Sequence, residues 1–191
     1  MNSKDRIAEA ACSLIQDTGI ADLTMADVGR RAGVSSALVH YHFSTKQALL
    51  GAASERLAAR RTESRVAAIS SAPGLAALDA VWAVLGSGPA SEAERAWLDL
   101  ALLARRDGAV RSTLATQRRA ERVSVATALP RLFKGLGTVP TAPWDETAAT
   151  ILLFLDGVAL ALAEGLPEDD VRAAYDAFWL DLIAAGQARR R

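Results

Sequence analysis

Both histidines of the chain, a tyrosine, three serines and a lysine fall within the stretch GVSSALVHYHFSTKQALL, residues 33–50. Their short or planar side chains donate and accept hydrogen bonds, and Lys46 adds a full positive charge. His40 and His42 stand two residues apart and point to different faces of a helix, which disfavours a metal site made of them alone. Elsewhere the sequence offers no Ser/His/Asp set, inward carboxylate pair, metal-ligand spacing or phosphate loop. An enzyme is therefore not expected, nor a cofactor or metal. The chemistry that remains is recognition, by hydrogen bonds to base edges and phosphate oxygens. The plainer alternative for either histidine is a satisfied surface or core group.

The elements around this stretch are punctuated by their own caps. Thr24 opens a T-x-x-D box with Asp27, predicting a short helix MADVGRRA that stops at Gly33. Ser35 caps a third helix, SALVHYHF, and Ser44 with Gln47 forms an S-x-x-Q box that opens a long fourth helix to about Ala68. A first helix carries Ile7, Ala11, Leu14 and Ile15 on one stripe and ends at Gly19. Two short helices joined by a tight A-G-V-S turn have the form of a helix-turn-helix, whose second helix lies in the DNA major groove. With Leu38 and Val39 turned toward Val28, Ala32 and Phe43, the residues Ser36, Ala37 and His40 fall on the opposite side, with Tyr41 at its edge.

Lys46 would stand second in the fourth helix, where the helix dipole disfavours a cation by several tenths of a kcal/mol, roughly. A DNA phosphate there would compensate it. Thr24 offers a second amide-plus-hydroxyl phosphate site, and Tyr41 and His42 can each donate one more bond. Arg30 and Arg31, near the end of the second helix, read as solvated charges.

The whole chain of 191 residues is 51% hydrophobic, enough for a substantial core in one or two domains. Alanine and leucine dominate and no segment alternates for long, so an all-α fold of about nine helices is expected. Loops fall at SSAPG, GSGPA, RRDG, KGLGTVPTAP and EGLP, Ser91 with Glu94 makes another capping box, and Pro130 is expected to kink or end its helix. Cys12 reads as a small core residue. The charged N-terminus lacks an export signal, so a cytoplasmic location is expected. TAATILLFLDGVALALA, residues 147–163, is short for a membrane span and carries Asp156 near its middle; a buried helix fits better, and no membrane is expected as a partner. Lys plus Arg equals Asp plus Glu at 22 each, so overall charge does not point to nucleic acid. A composition shift near residue 70 suggests a small N-terminal unit joined through one helix to a larger bundle.

Residues 23–50, LTMADVGRRAGVSSALVHYHFSTKQALL, resemble the N-terminal DNA-binding region of TetR-type transcriptional regulators. Leu23-Thr24, Val28, Ala32-Gly33-Val34-Ser35, His42-Phe43, Lys46 and Leu49 carry the likeness, and Leu155-Asp156-Gly157 adds a weaker one. The resemblance implies a helix-turn-helix domain over residues 1–46 and a ligand-binding and dimerisation bundle over 47–191. It implies base contacts for Ser36, Ala37 and His40, and phosphate contacts for Thr24, Ser35, Tyr41, His42 and Lys46. Position 40 is commonly tyrosine in the family and position 37 commonly glycine or another small residue, so base preference cannot be carried over. His40 would make binding mildly pH dependent. Gly29 stands where alanine is usual.

For the bundle, the resemblance implies a homodimer. Ile151, Leu155, Val158 and Leu162 form a stripe beside Gly157, answered by Val171, Tyr175, Phe178, Leu182 and Ala185, and paired across a two-fold axis they would make a four-helix interface. Packing inside one subunit is the alternative. A small-molecule pocket is implied among Trp82, Leu85, Trp97, Leu103, Leu114, Leu132, Trp144 and Phe154, with plain core as the alternative. Asp156 would orient a ligand or be hydrogen-bonded at a helix or subunit contact. Arg105, Arg106, Arg111, Arg118, Arg119 and Arg122 would line solvated faces and pair with Glu121 and other carboxylates. The expected function is a homodimeric repressor released from double-stranded operator DNA by a small apolar effector. Its rival is a DNA-binding dimer without such a ligand, controlled by a protein partner.

Overall fold

The computed structural model describes residues 2–21, 23–86 and 89–188. Among them are nine α-helices: α1 (Ser3–Thr18), α2 (Met25–Ala32), α3 (Ser36–His42), α4 (Lys46–Ser71), α5 (Leu75–Gly86), α6 (Pro89–Ala104), α7 (Gly108–Leu136), α8 (Trp144–Ala163) and α9 (Glu168–Ala184). Two two-residue strands, β1 (Thr138–Val139) and β2 (Gln187–Ala188), pair antiparallel. The all-α expectation therefore holds, with a small strand pairing that the sequence did not suggest.

The caps explain where the first helices begin. Asn2 accepts from the Asp5 amide at 2.8 Å, Thr24 from Asp27 at 3.1 Å and Ser35 from Leu38 at 3.2 Å, each meeting one of the unpaired amides of a helix start. At α4 the cap is Thr45, which accepts from the Ala48 amide at 3.1 Å. This corrects the expected Ser44 box and makes Lys46 the first helical residue rather than the second. The cap expected from Ser91 lies outside the described side chains. Pro130 neither ends nor divides α7, which runs on through it to Leu136.

Two compact units emerge, one of residues 1–60 and 92–118, the other of 61–91 and 119–191. The first thus takes in segments from both sides of the sequence boundary at residue 46. Its core joins Ile7, Ala11 and Ile15 of α1 to Val28, Val39, Phe43, Leu49 and Leu57, and also to Trp97, Leu100, Val110 and Leu114. Cys12 lies in it, its thiol donating to the Ala53 carbonyl at 3.6 Å. Burial pushes that thiol up to about 11.

The second unit's core joins Val81 and Leu85 of α5, Leu129, Leu132 and Phe133 of α7, Ile151, Leu152 and Leu155 of α8, and Val171, Tyr175 and Trp179 of α9. Within it Arg61 and Arg65, both essentially inaccessible, surround the equally buried Glu121 and reach the partly buried Asp156. Arg61 donates to both Glu121 oxygens at 3.0 and 3.1 Å, and Arg65 donates to Asp156 Oδ1 at 3.1 Å. Two positive and two negative charges balance there, the condition under which buried charge is tolerable. Glu121 is thus bonded to Arg61 and Arg65, and Arg122 of the expected group pairs with Asp145.

Helix α8 has 20 residues, three more than the apolar run, and reaches a mean hydropathy of 1.7 over 18 of them. By length and composition alone it is apolar enough to cross a membrane. It packs here as a core helix, with Ile151, Leu152 and Leu155 buried and Asp156 bonded to two arginines.

Candidate nucleic-acid interface

Helix α3 is fixed to the first core by one fully buried side chain, Val39, and by Phe43 at its end, with Leu38 half-buried beside them. The helix has 3.6 residues per turn, so anchoring Val39 turns Ser36, Ala37 and His40 outward. All three are exposed, and Tyr41 is 81% exposed. His42 is half-buried and meets Tyr41 edge to face at 5.2 Å between ring centroids. Two glycines set the approach of α3 to α2. Gly33 takes φ +65° in the turn, and at Gly29 a Cβ would lie 3.1 Å from the Val34 carbonyl oxygen and 3.3 Å from Val39. The close packing at Gly29, where alanine is usual in the resembling family, follows from this tight approach.

Thr24 and Ser35 are exposed at the starts of α2 and α3, and Lys46 is half-buried at the start of α4. Thr24 accepts from the Asp27 amide and donates its hydroxyl proton to Asp27 Oδ2 at 2.5 Å. That bond, with the nearby Arg30 guanidinium, holds the Asp27 carboxyl below the usual carboxylate range. Thr24 must therefore turn from Asp27 before its hydroxyl can serve a phosphate. Arg30 is bound to Asp27 at 2.9 Å, and Arg31 to Asp17 at 2.7 Å and Ser13 at 2.6 Å. Reading those two arginines as base contacts has no support in this geometry. All eight residues expected at a DNA interface lie in the first unit.

The other two sets of expected residues behave differently. Trp97 and Leu114 are buried in the first core and Leu103 packs against it. Leu85 and Leu132 are buried in the second core, with Trp82, Trp144 and Phe154 packed against it. The expected pocket residues thus divide between two cores. Leu103 borders a surface hollow of about 570 Å³ with Ile20, Asp99, Leu102, Arg105 and Arg106. Phe154 borders a groove of about 450 Å³ with Leu153, Gly157, Leu166 and Ala174.

Of the residues expected on the dimer stripe, Ile151, Leu155, Val158, Val171 and Tyr175 are buried in the second core, and Leu162, Phe178 and Leu182 pack against it. Helix α8 is apolar on more than one side, so its stripe could not reveal which side faces inward. The apolar side chains left outside are Leu153, Leu160, Leu166 and Leu180. Sequence reasoning missed them, and among the α8 residues the spacing of Leu153, Gly157 and Leu160 was the available signal. It also missed Arg61 and Arg65, whose partners are 56 to 95 residues away.

Residues 7–53 match the tetR family of bacterial regulatory proteins. Over these residues the chain matches the family's model. The chain is 38% identical over 66 residues to the HTH-type transcriptional regulator BetI of Rhizobium meliloti, 35% of this chain and 32% of that protein. It is 43% identical over 47 residues to BetI of Cronobacter sakazakii, 25% of this chain and 23% of that one. The match thus spans at most about a third of these tetR-family relatives. The fold likeness extends further. A protein of Rhodococcus sp., described as a TetR-family transcriptional regulator, aligns at TM-score 0.76 and 24% identity over 95% of this chain and 98% of its own. A regulator of Saccharomonospora viridis, solved with choline, aligns at TM-score 0.71 and 21% identity over 92% and 94%. The described helices therefore share their fold with these proteins.

Proposed function

We propose that this chain is a sequence-specific DNA-binding transcriptional regulator. The observation that carries the reading is the exposed row Ser36, Ala37, His40 and Tyr41 on a helix locked from behind by Val39 and Phe43. Such a row can enter a major groove without disturbing the core. Ser36 and His40 offer hydrogen-bonding tips and Ala37 a methyl for a thymine. Ser35, Tyr41, His42 and Lys46 hold phosphates, with Thr24 joining them when released from Asp27. The DNA-binding part is residues 1–46 and the remainder, 47–191, serves control and assembly, in the cytoplasm and without catalysis.

A lone α3 reads too few base pairs for useful specificity, so a homodimer is part of the proposal. Its contact face is the outer side of α8 and α9, where Leu153, Leu160 and Leu180 are exposed beside Gly157. The finer role is a repressor released by a small effector. A choline-bound relative supports an effector, and the apolar groove that Phe154 borders with Leu153, Gly157 and Leu166 is where a small molecule could rest. The division of the expected pocket residues between two cores favours the rival, control by a protein partner.

Fluorescence anisotropy decides between these. The wild-type protein should enrich a duplex from a randomised pool and bind it more tightly than a scrambled duplex. His40→Ala should lower that preference by about 1–3 kcal/mol, and Lys46→Ala should reduce the salt slope by about 1. Failure to enrich any duplex would refute the DNA-binding reading. Choline that leaves the affinity unchanged while binding to the protein would remove that cation as the effector.

A further inference from the structure

The cations near α3 differ in what already neutralises them. Arg30 and Arg31 are bound to Asp27 and Asp17, and Arg56 to Asp5 at 2.5 Å. Lys4 and Lys46 have no carboxylate at ion-pair distance among the described residues. Lys4 sits in the first turn of α1 and Lys46 opens α4, both places where the helix dipole disfavours a cation. They come from segments about forty residues apart, and Phe43 brings Lys4 to the end of α3. The Lys4 ammonium lies 5.8 Å from the centroid of the Phe43 ring, and Phe43 ends α3, next to His42 and three residues before Lys46. The buried, fixed ring gives the long lysine side chain a preferred place at the rim of the recognition helix.

We propose that Lys4 supplies a further DNA-phosphate contact, beside those of His42 and Lys46, so that α1 takes part in docking α3. This rests on the DNA-binding reading above. Lys4 acts here as a point charge, so it adds affinity without sequence preference. Its ammonium displaces a counterion from one phosphate on binding. Arg6 provides the contrast, being exposed on the same helix but two residues on and therefore turned to another side.

The test is a salt series with the full chain, using a duplex enriched by the wild-type protein from a randomised pool and a scrambled duplex of equal length. Lys4→Gln should lower the slope of log affinity against log salt by about 0.9 on both duplexes, so that the wild-type advantage shrinks roughly 3.5-fold between about 50 and 200 mM salt. Lys4→Arg should restore the slope, and Arg6→Gln should leave it unchanged. Circular dichroism melting of each variant checks that the fold is intact. A wild-type slope in folded Lys4→Gln would overturn the proposal while leaving the DNA-binding reading in place. Equal losses in Lys4→Gln and Arg6→Gln would overturn it too, since overall charge alone would then account for the effect. Absence of any enriched duplex would sink both readings together.

Discussion

The helix-turn-helix of the first unit and the buried cluster of the second handle charge in opposite ways. Around α2 and α3 the ion pairs are exposed, formed by Arg30 with Asp27 and Arg31 with Asp17, and they leave a row of uncommitted polar tips on the neighbouring helix. In the second unit Arg61, Arg65 and Glu121 are withdrawn from water altogether and joined to Asp156. Exposed pairs are individually weak, whereas a buried set becomes costly once one member is removed. The first arrangement can tolerate change at a recognition surface, and the second commits its helices to one packing.

Removing Glu121 should give the largest effect. Glu121→Leu takes a buried carboxylate away from the two buried guanidiniums of Arg61 and Arg65 and should cost about 3–5 kcal/mol in urea unfolding. Replacing Arg61, Arg65, Glu121 and Asp156 together by apolar residues of similar volume should cost far less; if both variants lose equally, packing rather than charge balance governs the site. Ser35→Ala, which removes the side-chain cap on the Leu38 amide and leaves it the Ser35 carbonyl at 3.0 Å, should cost about 1 kcal/mol. Arg31→Ala breaks an exposed pair with Asp17 and a bond to Ser13, with an expected loss of about 0.2–1 kcal/mol for the pair, and a much larger one would erase the contrast with the buried cluster.

The pH response is the slightest near neutrality. The Cys12 thiol is raised from 9.0 to about 11, so the unfolded chain releases its proton first and stability conferred by the neutral thiol is fully present below pH 9. That part is lost as pH rises from 9 to 11, and Cys12→Ala should flatten the decline over this window. Tyr175, also raised by burial while its hydroxyl donates to the Leu78 carbonyl at 2.7 Å, acts in the same direction above pH 10.

Local chemistry made the first unit readable. Thr24 and Ser35 announce their helices because a cap needs only the next three residues, and Val39 fixes the outward row by helical period alone. Thr45 displaced Ser44 as the α4 cap because two adjacent hydroxyl residues both suit that role. Pro130 was misleading because a 29-residue helix with buried neighbours on both sides of the proline, Leu129 and Leu132, can absorb one missing bond. The pocket and dimer assignments were less legible for a different reason. Apolar spacing shows that Trp97 and Trp82 face inward, but not that they face different interiors, and on α8 both Leu155 and Leu153 satisfy a helical stripe while only one is buried. The Arg61–Glu121 contact spans 60 residues of sequence, beyond any local rule.

The pairing of Arg30 and Arg31 has a consequence for how such a protein would be distributed inside a cell. Chromosomal DNA is a vast reservoir of weak sites, and every uncompensated cation on a docking face increases the fraction of molecules stored there. A chain of zero formal net charge whose nearest arginines are already matched by aspartates would be held little by that reservoir. Most copies would then remain free to find their target, and a small number per cell would be enough to keep it occupied.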